Sequence, residues 1–165
     1  MTRINTCLTL LCSGAFCWSL VQANQGASPT FSQTSNELQL FELTNLERKK
    51  KDLPPLKLSP ILSKIARAHS ENMARQGKME HKLDGKGPLD RLRDADYKFV
   101  KGGENLASGN EDATLPLIMR AWMESKGHRE NILLAEYSEI GVGIGRDKNG
   151  ELFYTQLFAR PRKDD

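Results

Sequence analysis

Past residue 17 the 165-residue chain has no cysteine, because Cys7, Cys12 and Cys17 are its only three. A disulfide framework is thereby excluded for everything that follows, which must hold together by packing alone. Long apolar runs are also missing after Val21, and no internal repeat is visible. Charge of one sign is missing too: leaving out the first 23 residues, 23 basic side chains face 21 acidic ones, a net charge of +2. That balance points to neither nucleic acid nor a membrane surface as partner. The densest basic run, Arg48-Lys49-Lys50-Lys51, reads as the closing turn of a helix, where cations meet the negative end of the helix dipole. Histidine is scarce as well, with only His69, His81 and His128.

What is present begins with a leader. Arg3 precedes an uncharged apolar stretch from Cys7 to Val21, closed by Val21-Gln22-Ala23, which is the pattern of a secretory signal peptide. Ser13, Gly14 and Ser19 interrupt the stretch, and it is short for a bilayer span. Residues 1–23 are therefore expected to be removed, leaving a secreted or periplasmic protein with no stable transmembrane segment. Lipid attachment at Cys17 would call for a small residue before it, where Phe16 stands. Residues 24–35 read as a flexible N-terminal segment and 36–161 as one domain, a length that can bury a stable core.

Within that domain, Thr34-Ser35-Asn36-Glu37 has capping-box spacing, and Leu38, Leu40, Phe41, Leu43 and Leu46 predict an apolar stripe on a helix that Pro54-Pro55 stops. Ser59 as N-cap and Pro60 at the first position open a second helix, with Leu62, Ile65, Ala66, His69 and Met73 on one face and Gly77 as its end. A short helix is expected over Pro88 to Asp94 and a strand over Tyr97 to Val100. Leu115, Ile118, Met119, Trp122 and Met123 restore helical spacing. Two strand-like segments, Glu139 to Gly145 and Glu151 to Ala159, flank an Asn-Gly turn and predict a hairpin. Helices first and hairpin last argue for an α+β fold.

Several residues invite chemistry. The glycines of GVGIG, residues 141 to 145, precede no helix and so cannot form a phosphate loop; a packed or bulged strand is expected. His69 lies on the apolar face of its helix and reads as a core histidine. His81 follows a helix stop in a polar loop, and local spacing leaves a site role and a surface role equally open. Glu104, after Gly102 and Gly103, either caps a turn or is turned inward by it. Gly127 is expected to end the Trp122 helix, so that His128 leaves the helix surface.

Met79-Glu80-His81, Pro88-Leu89-Asp90-Arg91, Gly103-Glu104-Asn105-Leu106-Ala107, Trp122-Met123-Glu124-Ser125 with Gly127-His128-Arg129, and Tyr154-Thr155-Gln156 occur in an order that resembles the CAP or SCP superfamily of cysteine-rich secretory, antigen 5 and pathogenesis-related 1 proteins, in its bacterial form. The resemblance implies a three-layer α-β-α sandwich around a small antiparallel sheet, with a cleft of two histidines and two acids that binds a divalent metal, often zinc, in some members. Carried over, His81 is the first histidine and Glu104 the first acid. The second histidine of many eukaryotic members precedes Tyr-Thr-Gln, where this chain has Phe153, so His128 is left to supply an imidazole. The second acid stands three residues after the Trp, where this chain has Ser125. Glu124 does not replace it, since at about 100° per residue it points nearly opposite the apolar stripe.

The resemblance therefore implies a cleft of His81, Glu104, Ser125 and His128, in which His81, Glu104 and His128 form a three-ligand set for zinc or a hydrogen-bonded cluster without metal. Three functions follow as expectations. One is an exported binding protein for a small apolar ligand, lipid, peptide or glycan. Another is a metal-dependent hydrolase, protease- or esterase-like, with metal-bound water between the imidazoles and Glu104 as ligand or base. The third is a structural envelope protein with a vestigial cleft. A serine hydrolase built on Ser125 and His128 lacks both an orienting acid and a Gly-x-Ser-x-Gly elbow.

Overall fold

A computed structural model describes residues 31–110 and 112–162; the expected leader and most of the expected N-terminal segment lie outside them. Nine elements follow in order: α1 Ser35–Lys49, β1 Lys57–Leu58, α2 Pro60–Gln76, α3 Pro88–Asp94, β2 Phe99–Gly109, α4 Leu115–Glu124, α5 Lys126–Leu133, β3 Glu139–Arg146 and β4 Leu152–Pro161. The strands make one sheet in the order β1-β3-β4-β2, antiparallel except for the two-residue β1 beside β3. The fold is α+β, as the element order predicts. The expected bounds of α3 are those observed, and Gly77 closes α2 in the left-handed conformation (φ 62°).

Strand alternation gives the sheet two different faces. Gly141, Gly143 and Gly145 turn one face of β3 toward α2, and Cβ atoms added there would lie 2.1, 2.1 and 2.5 Å from the backbone of Leu62, Arg67 and Ser70. The GVGIG motif is thus a packed strand, and its glycines set how closely helix and sheet approach. Buried Leu157 and Ala159 of β4 join Leu62, Ala66 and Leu92 on this side. The opposite face carries Ile140, Val142, Tyr154 and Phe158, which pack with Leu40, Leu115, Ile118, Met119, Trp122 and Ile132 of α1, α4 and α5.

The apolar stripe expected on α1 is only in part its buried face. Leu40 is buried and Phe41 and Leu43 pack half-buried against the core, but Leu38 and Leu46 are exposed, and Glu37, Thr44 and Arg48 are buried beside Leu40. These positions are 3, 4 and 4 residues apart and so share one face, and each polar member has a partner. The Arg48 guanidinium donates to the carbonyls of Pro54, Ile132, Leu134 and Tyr137 at 2.9–3.4 Å. The Glu37 carboxylate closes the capping box with Thr34, pairs with Arg67 of α2 and accepts the Ile144 amide of β3. Thr44 accepts from Gln156 at 2.7 Å. The basic run therefore contributes one buried clamp, Arg48, besides its favourable place at the helix end.

The strand expected over Tyr97 to Val100 is longer and begins later. Phe99 to Gly109 pair with β4 through a bulge between Phe99 and Lys101. Gly102 and Gly103 do not form a tight turn: they lie within β2, where Cβ atoms would meet Leu89 Cδ2 at 2.8 Å and the Tyr137 hydroxyl at 2.3 Å. β2 is an edge strand, and two of its carbonyls are capped by side chains. Trp122 Nε1 donates to Leu106 O at 2.8 Å and Asn131 Nδ2 to Glu104 O at 3.2 Å, which protects an otherwise open edge.

Candidate functional site

The site forms at this edge, where the two helical layers come round β2 from opposite faces. Glu104 sits in the middle of β2 on the α2 side, with its side chain only 1% exposed. After the Gly77 stop, Asp84 and Gly85 at positive φ (51° and 78°) turn the chain back between α2 and α3, and this loop carries His81. α3 opens with Pro88 at its first position and the Asp90 carboxylate accepting the Gly87 amide at 3.0 Å. Arg91, one turn further, reaches both loop and strand. Its Nη1 donates to the carbonyls of His81 (3.1 Å) and Lys86 (3.0 Å), and its Nη2 to Glu104 Oε2 (2.5 Å).

The other oxygen of Glu104 holds His81, whose Nδ1 donates to Oε1 at 2.9 Å. A carboxylate is an acceptor only, so the bond fixes the proton of the neutral ring on Nδ1 and leaves Nε2 with its lone pair. The His81 side chain is 55% exposed, in contrast to the carboxylate that aims it. His69 lies behind the pair, its Nε2 donating to the Glu80 carbonyl at 3.1 Å and 3.9 Å from Glu104 Oε1. Burial, only partly opposed by Glu104, pushes the His69 imidazole below its ordinary pKa, so it is a buried neutral histidine, as its place on the apolar face suggests.

α5 supplies the other wall, with a correction to the expected helix end. The Trp122 helix stops at Glu124, and Gly127 lies inside the first turn of α5 with nothing within 4 Å of an added Cβ. Ser125, in an extended conformation (φ −79°, ψ 124°), is the break and caps both helices. Arg129 secures it by donating from Nη1 to the Met123 carbonyl at 2.7 Å. His128 is therefore a helical residue of α5 and not one released from a helix. Its ring is half-buried, and burial followed by the nearby His81 lowers its pKa.

Asn105 locks this wall to the strand. Its Nδ2 donates to the His128 carbonyl (3.0 Å) and to Gln156 Oε1 (3.1 Å), and its Oδ1 accepts from Asn131 (2.9 Å). With Gln156 donating to Thr44, a buried chain of polar groups runs from α1 through β4 and β2 to α5. Such a chain, with each member partnered, fixes a unique arrangement.

The structure thus brings His81 and Glu104 into direct contact, while His128 stands on α5 with its carbonyl bonded to Asn105, the neighbour of Glu104 in β2. Ser125 is half-buried at the helix break, and among the described residues its hydroxyl makes no hydrogen bond. Glu124 is exposed, as its helical phase requires. The sequence motifs contain Arg91, Asn105 and Gln156 without assigning them roles, and Asn131 lies outside the motifs altogether. The available signal was that an arginine, two asparagines and a glutamine fall in or beside the matched blocks, where buried polar residues imply partners.

Zinc chemistry turns on Glu104. Both its oxygens are engaged, one by His81 and one by the Arg91 cation, so it orients an imidazole and does not offer itself as a ligand. Among the described residues no group of three or more His, Cys, Asp or Glu side chains is arranged to hold a metal ion. What remains is two imidazoles, one backed by a carboxylate, the arrangement common behind metal-binding histidines. Two imidazoles alone fall one protein ligand short of the usual catalytic zinc centre.

Comparison with known proteins places the chain. Residues 41–158 match the profile of the cysteine-rich secretory protein family, CAP. Protein YkwD of Bacillus subtilis is 37% identical over 140 residues, spanning 84% of this chain and 53% of that protein. The membrane protein YlbC of the same organism is 34% identical over 78% of this chain and 35% of its own. The chain thus spans about half or less of these curated relatives. Among solved structures, an outer surface protein from Borrelia burgdorferi superposes with a TM-score of 0.72 at 25% identity, covering 79% of this chain and 97% of that one. An extracellular SCP-domain protein from Bacillus anthracis gives 0.67 at 34% identity, over 76% and 40%. Among the described residues no helix is long and apolar enough to cross a membrane. By profile, relatives and fold together, this chain belongs to the CAP family of cysteine-rich secretory proteins.

Proposed function

We propose that the protein is exported and acts as a binding protein, using the edge cleft of His81, Glu104 and His128 to hold a polar ligand, a peptide or a glycan. One observation carries this reading: a fully buried carboxylate, neutralised by Arg91, holds one nitrogen of His81, a ring more than half exposed, and leaves the other nitrogen out of that bond. Desolvating a carboxylate is costly unless it is paired. Here the pairing leaves an exposed imidazole in one tautomer and one orientation, a pre-organised hydrogen-bond acceptor. His128, kept neutral by burial and by His81, provides the second ring. Arg91 and Asn131, the side chains that contact Glu104, are polar, which suits a hydrogen-bonding ligand better than an acyl chain. Export is supported by the leader pattern and by relatives described as extracellular or outer-surface.

A divalent cation bound by His81 and His128 would supply a positive anchor for a ligand carboxylate or carbonyl. Glu104 would then orient the His81 ring and Arg91 would hold Glu104. The test is zinc titration of untagged protein by calorimetry, beside His81→Ala and His128→Ala. Zinc uptake by wild type that is lost in both variants supports the metal-anchored form. Wild type that takes up no zinc but binds a member of a peptide and glycan array through His81 supports the metal-free form. Failure of both leaves a structural protein with a vestigial cleft. Turnover of a peptide or ester panel that the double variant abolishes would replace the binding reading with a hydrolase.

A further inference from the structure

Away from the cleft, the sheet has a cationic corner where β2 begins and β4 ends. A groove of about 350 Å³ there is lined by Arg93, Lys98 and Arg162 together with Asp96, Tyr97 and Phe99. A second hollow of about 500 Å³, bounded by Glu136, Arg160 and Arg162 among others, shares Arg162 with it. The strands bring these cations together: Phe99 pairs with Pro161 across the ladder, and the Arg162 amide donates to the Lys98 carbonyl at 3.0 Å. The Arg93 guanidinium lies 5.9 Å from the centre of the Phe99 ring.

Nearby carboxylates are largely engaged already. Asp90 pairs with Arg93 at 2.9 Å, Glu136 with Lys101 at 2.6 Å and more distantly with Arg160, and Glu139 accepts the Tyr97 hydroxyl at 2.8 Å. Among the described residues Lys98 and Arg162 have no acidic partner, so Asp96 is the one lining carboxylate left to oppose them. The Arg93 pair is more than half exposed on both sides, and such pairs exchange readily for another anion.

We propose that this corner binds an acidic glycan, a sugar chain carrying sulfate, phosphate or carboxylate groups. Planar guanidinium forks at Arg93 and Arg162 match oxyanions in bidentate fashion, and Lys98 adds a point charge to the same groove. Tyr97 and Phe99 put part-exposed ring surface beside the cations, a flat apolar footing for a sugar ring that a charge-only ligand does not need. Nucleic acid calls for a longer basic stripe on a chain of higher net charge. A membrane surface calls for an amphipathic apolar face, and Val100 is a single exposed apolar side chain here.

The test is binding of the full chain to dextran sulfate by calorimetry, with neutral dextran, polyphosphate, duplex DNA and phosphatidylglycerol vesicles compared at equal charge. Dextran sulfate should bind and neutral dextran should not. Lys98→Glu with Arg162→Glu should weaken binding about tenfold or more, and the Gln pair by less, because reversal adds repulsion where neutralisation only removes attraction. Lys148→Glu, an exposed change in the β3–β4 turn, should leave the affinity unchanged. If the Glu pair loses its fold by circular dichroism, the Gln pair decides. Unchanged affinity in the folded charge variants overturns the proposal. So does binding of polyphosphate, DNA or vesicles as tight as that of dextran sulfate.

Discussion

One face of the sheet meets α2 across three glycines, whereas the other meets α1, α4 and α5 through Tyr154, Phe158 and a buried chain of amides. On the first face the contact is backbone against backbone, and specificity comes from the absence of side chains. Ser63 and Ser70 of α2 add short polar links there, Ser70 donating to the Gly143 carbonyl at 3.0 Å and sharing a 2.8 Å bond with Thr155. On the second face specificity comes from long-range polar partners, among them Arg48 with its four carbonyls and Asn105 between His128 and Gln156. The first arrangement has no slack, because a helix axis cannot retreat without dragging the sheet. The second fails one partner at a time. The cleft lies where the two arrangements meet, with His81 and Arg91 arriving from the rigid side and His128 from the side held by hydrogen bonds.

The rigid side should be the more fragile to a single carbon atom. Gly143→Ala puts a Cβ 2.1 Å from the Arg67 amide nitrogen, a clash that no rotamer relieves. A loss of about 4 kcal/mol is expected, beyond the usual range for overpacking, read as a large fall in the urea midpoint. A loss under about 1 kcal/mol would show that α2 can slide and would erase the contrast. On the other side, Arg48→Met keeps the bulk but leaves up to four buried carbonyls without their donor, costing about 3 kcal/mol. Because two of those carbonyls belong to Ile132 and Leu134 at the end of α5, amide exchange should rise in α5 before it rises in α2. Equal protection in both helices would mean that Arg48 does not specifically hold the His128 wall.

Much of this was legible in the sequence and some was not, for reasons specific to each element. Caps and prolines act locally, so Thr34, Ser59-Pro60 and Pro88 placed the starts of α1, α2 and α3 and Gly77 the end of α2, while α1 stops at Lys49, before the Pro54-Pro55 expected to end it. The Asn-Gly pair placed the β3–β4 turn. β2 was largely hidden because Gly102 and Gly103 are poor strand residues; they are required by Leu89 and Tyr137, which come from distant parts of the chain. On α1, Leu40 was legible but the polar part of the buried face was not, since Glu37, Thr44 and Arg48 have partners 30 to 112 residues away, and periodicity counts only apolar side chains. The α4–α5 break falls at Ser125, two residues before Gly127, the glycine that marked it in the sequence. In the cleft, His81 and Glu104 were reached by resemblance, while Arg91 carried no local sign that it would clamp both.

Two smaller effects sharpen the comparison where the faces join. Glu37 touches both sides, bonded to Arg67 of α2 and to the Ile144 amide. Burial acts to raise its pKa, but Arg67 and the Thr34 and Ile144 amides outweigh burial and hold it below the ordinary glutamate value. A depressed carboxylate contributes stability that is present above its unfolded pKa and is lost as pH falls through the folded one. Wild type should therefore exceed Glu37→Gln in urea midpoint at pH 7, and the gap should close below about pH 4.3. A gap independent of pH would assign the effect to shape and remove Glu37 as an electrostatic joint.

Gly127 is the control for the glycine argument. It is helical, near the start of α5, with open space where a Cβ would stand, so it owes nothing to close packing. Gly127→Ala should stabilise by about 0.5 kcal/mol through the restricted unfolded chain and the better helix former. It should also leave the His81 and His128 proton shifts unmoved. Opposite signs at Gly127 and Gly143 are what separate a glycine kept for space from one that is merely tolerated. If Gly127→Ala destabilised instead, the turn at Ser125 would have to depend on freedom at Gly127, and the helix break would be a two-residue hinge.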